Sequence, residues 1–184
     1  VWKVLIAKKI TSQSELLKKR GFETESIMLE EYAADVTPGD KTNREGHAAK
    51  VYFNCILPEG VTRRGGGFIN GCLNYGYAVL LSAINREIVA SGYMTQIGVW
   101  HDNEFNEFNL GSDIIEPLRT IIDETALTIE PGDATFKHTM AGALNYEVTF
   151  ADKKTTLDVA VRQYVKSVLY ALEVNDPGEV TFPE

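Results

Sequence analysis

The sequence predicts an all-α fold class: a mainly helical domain with a central buried helix and at most one small β-hairpin. Three observations predict it. Apolar residues recur at helical spacing through most of the 184 residues. The longest such stretch, 68–91, carries an apolar stripe broad enough to be buried on nearly all sides. Only 146–157 reads as paired short strands.

The elements follow in order. Residues 1–20 place Trp2, Ile6, Ile10 and Leu17 on one face, and Gly21 is the expected C-cap. A second helix covers 24–36, with Thr24 as N-cap, Ile27, Met28 and Tyr32 turned inward, and Pro38-Gly39-Asp40 as the break. A third begins near Asn43. Residues 58–67 form a loop ending in three glycines. The long helix runs from Phe68 to Ser91, with Ile69, Leu73, Tyr77, Leu80, Ile84 and Ile88 as its stripe, widened by Cys72, Val79 and Ala83; Gly92 ends it. Asn103, Asn106, Asn109 and Gly111 are poor helix formers, so 101–111 is irregular or one short turn. Ser112 caps a helix through Thr125, and Pro117 either kinks it or delays its start. The strands 146–150 and 155–157 turn at Asp152-Lys153. A last helix buries Val161, Val165, Val168, Leu169 and Leu172, and the Pro/Gly-rich tail from Asp176 is expected to fray.

Composition narrows the class. At 44% hydrophobic and 24% charged residues, the chain can bury a real core and is not disordered. Two cysteines, Cys55 and Cys72, exclude a disulfide scaffold and a Cys-rich zinc site, and fit a reducing cytoplasm. The most apolar run, Tyr75–Ile84, is half of the roughly twenty residues a membrane helix needs. Val1 enters a helical pattern without a starting Met, so a piece of a longer protein is expected. The net charge of −8 argues against whole-surface nucleic-acid binding, but it is uneven. Residues 1–64 hold 11 Lys/Arg against 9 Asp/Glu, and residues 65–184 hold 7 against 17. This is either an ordinary solvated surface or a local phosphate track beside an acidic site.

Glu45, His101 and the pair Asp113/Glu116 stand out as candidates for chemistry. Each has a plain structural explanation. Glu45 favours a helix dipole in a first turn. His101 follows an aromatic residue, as many core or boundary histidines do. Asp113 and Glu116 share a helical face near Arg119. Together, two carboxylates and an imidazole suit an open Mg²⁺ or Mn²⁺ site better than a closed zinc site. His47 points off the face of Glu45, and His138 lies in a loop-like stretch; neither is assigned a role. No Gly-x-Ser-x-Gly elbow and no phosphate-binding Gly-Lys-Ser/Thr loop is present.

Three stretches carry a family resemblance: Thr42–Phe53 (TNREGHAAKVYF), Ile69–Tyr77 (INGCLNYGY), and Gly92–Gly98 (GYMTQIG) continuing through His101 to Ser112–Arg119 (SDIIEPLR). In this order and spacing the sequence resembles the CRISPR adaptation integrase, the catalytic subunit that inserts new spacers into a CRISPR array. The Asn- and Phe-rich Asn103–Leu110 stretch resembles the type II-A branch. The resemblance implies a helical catalytic domain at 21–175, a helix at 1–20 connecting from an N-terminal β-sandwich these residues do not contain, and a tail at 176–184. It implies that Glu45, His101 and Glu116 are catalytic and hold the metal, Mg²⁺ or Mn²⁺, with Glu116 standing where the family often has Asp. Asp113 falls on a nearby acidic position that braces His101 or a metal-bound water.

The implied reaction is attack of a DNA 3′-hydroxyl on a phosphodiester, which needs charge neutralisation rather than a covalent nucleophile. Arg44, Lys50, Arg63, Arg64, Arg86 and Arg119 are the candidate DNA-binding cations, from the basic first third and from nearness to the motifs. The implied partners are prespacer and repeat DNA, a second copy in the full-length protein, the small ferredoxin-like subunit of the adaptation complex and, in type II systems, the effector nuclease and a ring that binds DNA ends. No membrane partner is expected, and the implied location is the prokaryotic cytoplasm. The alternatives are a transposon-borne integrase of the same superfamily, or a non-catalytic helical fragment for DNA binding or assembly.

Overall fold

Two long helices organise the fold. In the computed structural model, which describes residues 1–184, they are α1 (Trp2–Lys19) and α4 (Phe68–Ala90). Between them come α2 (Glu23–Ala34) and α3 (Arg44–Ile56). After α4 come α5 (Asn109–Ile114), a single 3₁₀ turn at Glu116–Leu118, α6 (Arg119–Ala126) and α7 (Phe136–Gly142). A two-stranded antiparallel hairpin, β1 (Glu147–Phe150) and β2 (Lys153–Thr156), leads into α8 (Leu157–Glu173). The expectation of a mainly helical domain with one small hairpin holds. No helix is long and apolar enough to cross a membrane.

α1 packs on α2, α3, α6 and the 116–118 turn, whereas α4 packs on α5, α6, α7 and α8. One continuous core joins them, with Leu5, Ile10 and Leu17 of α1 and Leu73, Leu80, Ile84 and Ile88 of α4 fully buried. Close approach of α6 and α7 to α4 requires Gly76: a Cβ there would meet Met140 Cε at 2.3 Å and Ile122 Cγ2 at 2.5 Å. The helix-ending glycines Gly21 and Gly92 both have φ of +86°.

Several local expectations are corrected. α2 buries Ser26 and Leu29, while Ile27 is 56% exposed and Met28 also faces outward. The cause is a small polar seam: the Ser14 hydroxyl on α1 donates to the Ser26 carbonyl at 2.9 Å, which rotates the buried stripe of α2. Its N-cap position is Phe22, not Thr24. α4 is one-sided rather than buried all round, with Val89 62% exposed. Ser112 lies inside α5 and caps nothing. Pro117 breaks the expected 112–125 helix into α5, the 3₁₀ turn and α6, because it removes a ladder N–H. His138 sits on a short helix, α7, rather than in a loop; buried Met140 and the Phe136–Phe68 ring contact hold it.

The hairpin turns at Ala151-Asp152, both at positive φ, one residue earlier than expected, and Leu157 belongs to α8. The tail does not fray. Glu184 and Thr149 exchange backbone hydrogen bonds of 2.8 and 2.6 Å, and Phe182 packs near the Tyr164 ring.

Candidate active site

The site assembles around α1. Its buried stripe runs Trp2, Leu5, Ile6, Lys9, Ile10, Gln13, Leu16 and Leu17. Lys9 is the one charged residue on this face and is only 8% exposed. A lysine is almost never this buried without a partner, and Lys9 has two. Its Nζ lies 2.6 Å from Glu45 Oε1 and 2.6 Å from Glu116 Oε2.

Glu45 is in the first turn of α3. Asp40 fixes that turn by accepting the Arg44 and Glu45 amides at 2.8 and 2.9 Å, in the manner of an N-cap side chain. Glu116 opens the 3₁₀ turn that Pro117 forces. The proline break is therefore what swings Glu116 out of line with α5 and toward α1. Arg119, one turn on, pairs with the other Glu116 oxygen at 2.9 Å and lies over the Tyr77 ring at 4.5 Å. Burial alone would raise the Glu116 pKa, but the charges of Lys9 and Arg119 outweigh it and hold the group at about 2. Burial alone would discharge Lys9; Glu116 and Glu45 outweigh that and raise its pKa above the usual lysine value.

His101 arrives on a loop clamped by Asp113. The Asp113 carboxylate is completely buried and accepts the amides of Val99 at 2.6 Å, Trp100 at 3.0 Å and His101 at 3.2 Å. It also lies 2.7 Å from His101 Nδ1. Gly98 makes this wrap possible, since a Cβ there would meet the His101 carbonyl oxygen at 2.3 Å and Asp113 Oδ2 at 2.9 Å. Trp100 then stacks on Trp2 of α1 with ring centroids 4.4 Å apart, so α1 positions this loop as well as Lys9. The Asp113 hydrogen bond raises the His101 pKa; burial opposes this, and Asp113, Glu116 and Glu45 add to it as charges. The imidazole thus lies within the field of both glutamates.

The structure brings Glu45 and Glu116 to one point through Lys9 and sets His101 on Asp113. No three His, Cys, Asp or Glu side chains stand together as a ready metal-binding group in this arrangement. The donors nonetheless fit a hard divalent cation. Two carboxylates converge, and an imidazole whose Nδ1 is taken by Asp113 presents Nε2. Apart from the Lys9 ammonium, Glu116 Oε2 is buried without a polar partner, so it has acceptor capacity left for a cation.

The candidate cations separate. Arg44 pairs with Asp35 at 2.6 Å, and Arg86 with Asp158 at 2.7 Å. Arg63 is pinned to Asn74 at 2.8 Å and to Asn70 at 3.3 Å, and covers the Phe53 and Tyr77 rings. Lys50 and Arg64 are exposed.

Neither Lys9 nor a further buried acid, Asp123, stands out in the sequence. The signal for Lys9 was present: it falls three and four residues from Ile6, Leu5 and Gln13, within the stripe. Asp123 on α6 accepts the hydroxyls of Tyr52, at 2.7 Å, and Tyr77. Burial raises its pKa to about 6 against the lowering effect of those hydrogen bonds and of Arg119 and Arg63.

The model of the family described as CRISPR associated protein Cas1 matches residues 2–144. The chain belongs to the Cas1 family. A CRISPR-associated endonuclease Cas1 of Neisseria meningitidis serogroup C is 29% identical over 194 aligned residues, which take in all of this chain and 63% of that protein. The chain thus spans less than two thirds of that Cas1 relative. Among solved structures, a casposase bound to integration product superposes with a TM-score of 0.76 at 21% identity, covering 95% of this chain and 64% of that one. A Cas1 protein from Thermotoga maritima gives 0.71 at 20% identity, covering 95% and 66%. At such identities these two likenesses speak for the Cas1 fold.

Proposed function

We propose that this domain is the catalytic part of a divalent-metal-dependent DNA integrase and endonuclease that inserts spacer DNA into a CRISPR array. The observation that carries the reading is the convergence of Glu45 and Glu116 on one point beside an Asp113-clamped His101, in a chain of the Cas1 family.

Glu45, Glu116 and the Nε2 of His101 would hold Mg²⁺ or Mn²⁺, whose charge offsets the negative charge building on the attacked phosphate. The protein's own groups do the rest. Asp113 lies 2.7 Å from His101 Nδ1; a hydrogen bond donated from Nδ1–H would fix the tautomer and leave the Nε2 lone pair for the ion. Arg119 holds one oxygen of Glu116, so the other faces the site. The Arg119 guanidinium, 27% exposed and set over Tyr77, is within the same site and suits a non-bridging phosphate oxygen. No side chain serves as a covalent nucleophile; the attacking group is the 3′-hydroxyl of the incoming DNA strand.

The partners follow from this reading. DNA is the substrate, and the likeness to a Cas6–RT–Cas1–Cas2 complex (TM-score 0.76, 19% identity) supports Cas2 as a partner. The test is integration of a 3′-hydroxyl oligonucleotide into a repeat-bearing supercoiled plasmid by the full-length protein with Cas2. Activity is expected with Mg²⁺ or Mn²⁺ and lost in EDTA. Glu45→Gln, His101→Ala and Glu116→Gln should each remove it by a thousandfold or more while the protein stays folded. Undiminished activity in any folded variant of the three would overturn the assignment of that residue.

A further inference from the structure

The acids of the proposed site are not held apart by their own repulsion. They are drawn together by a lysine from another element. We propose that Lys9 is an internal cation of the site, which pairs Glu45 with Glu116 in the absence of a divalent ion and is displaced when that ion enters. This inference rests on the metal-dependent reading above.

Three observations carry it. First, the contacts are complete: Nζ lies 2.6 Å from an oxygen of each glutamate, on a residue 8% exposed. Second, Lys9 is built in rather than draped over the site. It sits mid-stripe on α1 between Ile6 and Ile10, both buried, so the stem enters from the core side. Third, Glu116 Oε2 is buried and has no polar partner besides this ammonium, so the cation at this point is the one thing that holds that oxygen.

An ammonium and a divalent ion cannot share this point. The ammonium already sits between Glu45 Oε1 and Glu116 Oε2, and a hard divalent ion takes carboxylate oxygens at about 2.0–2.2 Å, so an ion bound by both glutamates falls where Nζ now lies. At that spacing the two cations would also repel at contact distance. The lysine stem has four rotatable carbons, so the ammonium can leave without moving α1. Lys9 therefore sets the metal affinity of the site from below: it stabilises the empty arrangement and lowers the apparent affinity for the ion that replaces it.

Two measurements on the chain test this. The first is Mn²⁺ binding, followed by the paramagnetic resonance of free Mn²⁺, for wild type, Lys9→Met and Glu45→Gln/Glu116→Gln. Lys9→Met is expected to bind Mn²⁺ at least tenfold more tightly than wild type. It should also melt below wild type in EDTA and regain that loss with Mn²⁺. The second reads wild type, with Lys9→Met used only to assign one resonance. The slowly exchanging ¹⁵Nζ resonance of the Lys9 ammonium, assigned by its loss in Lys9→Met, should be present in EDTA and vanish or shift to the solvent-exposed position at saturating Mg²⁺. Equal or weaker Mn²⁺ binding by folded Lys9→Met, or a resonance unmoved by bound Mg²⁺, overturns the Lys9 inference alone. Mn²⁺ binding that is absent from wild type and Lys9→Met, or that survives Glu45→Gln/Glu116→Gln, overturns the metal-site reading beneath it.

Discussion

α1 and α4 are the two longest helices, 18 and 23 residues, and each is packed along one face. They are buried for different purposes. On the inner face of α4, Asn70 donates to the Thr62, Gly65 and Gly66 carbonyls of the preceding loop, Glu87 pairs with Arg86 and with Arg162 of α8, and the Tyr77 hydroxyl donates to Asp123 of α6. The one charged residue on the inner face of α1 reaches across to other elements. Lys9 collects acids from α3 and from the 3₁₀ turn, and Trp2 supports the His101 loop. A buried stripe by itself marks scaffold. A buried stripe interrupted by a charge that holds two like charges together marks a site.

The contrast can be broken from either side. The largest expected effect lies on α4. Leu80→Ala, at a fully buried position, should cost about 2–5 kcal/mol in urea denaturation while leaving Mn²⁺ affinity unchanged. A matching loss of metal affinity in the folded variant would make α4 part of the site.

Next in size is Asp113. A carboxylate that accepts three amides and an imidazole is a foundation of the loop as well as a brace for His101. Asp113→Ala should therefore destabilise by about 2–4 kcal/mol and also lower activity, since three loop amides lose their common acceptor. A stability within about 0.5 kcal/mol of wild type would return Asp113 to a purely chemical role.

The pH dependence sharpens the comparison further, because two buried acids have opposite signs. Glu116 is held at about 2, below its usual 4.5, so its contribution is present above pH 4.5 and is lost as pH falls toward 2. Asp123 is raised from 3.8 to about 6, so the folded state keeps its proton longer and stability falls as pH rises from about 4 to 6. Glu116→Gln should flatten the acid limb of the stability profile and Asp123→Asn the limb between pH 4 and 6. Unchanged limbs would show that these groups are not perturbed as described.

The smallest effect separates two neighbouring arginines. Arg64→Ala should weaken DNA binding and reduce the salt slope by about one unit without changing stability. Arg63→Ala, which loses its asparagine contacts, should lower the melting temperature instead. Equal salt slopes for the two variants would restore the sequence-level view of them as one pair.

Helices with clear stripes were legible in the sequence: α1 and α4, each stopped by a glycine, and α8 fall where periodicity puts them. Less legible was the rotation of α2, because the Ser14–Ser26 contact that sets it is tertiary. α7 is too short for periodicity to define. Glu45, His101, Asp113 and Glu116 were singled out because their chemistry and their family motifs coincide. Lys9 was not, since it lies outside those motifs and a lysine is by default read as surface. Only its place between Leu5, Ile6 and Gln13 gives it away. Asp123 has the same character, an acid on the inner face of α6 whose tyrosine partners come from α3 and α4.

The central claim is that Glu45, Glu116 and His101 hold a divalent ion. It is tested most directly by an anomalous difference map, at the manganese edge, of crystals equilibrated with Mn²⁺. The account predicts one strong peak bounded by a Glu45 oxygen, a Glu116 oxygen and His101 Nε2, with carboxylate distances of about 2.0–2.2 Å and Lys9 Nζ withdrawn from both glutamates. A saturated crystal with no peak there, or with Lys9 still bridging the two carboxylates and manganese bound elsewhere, would contradict it.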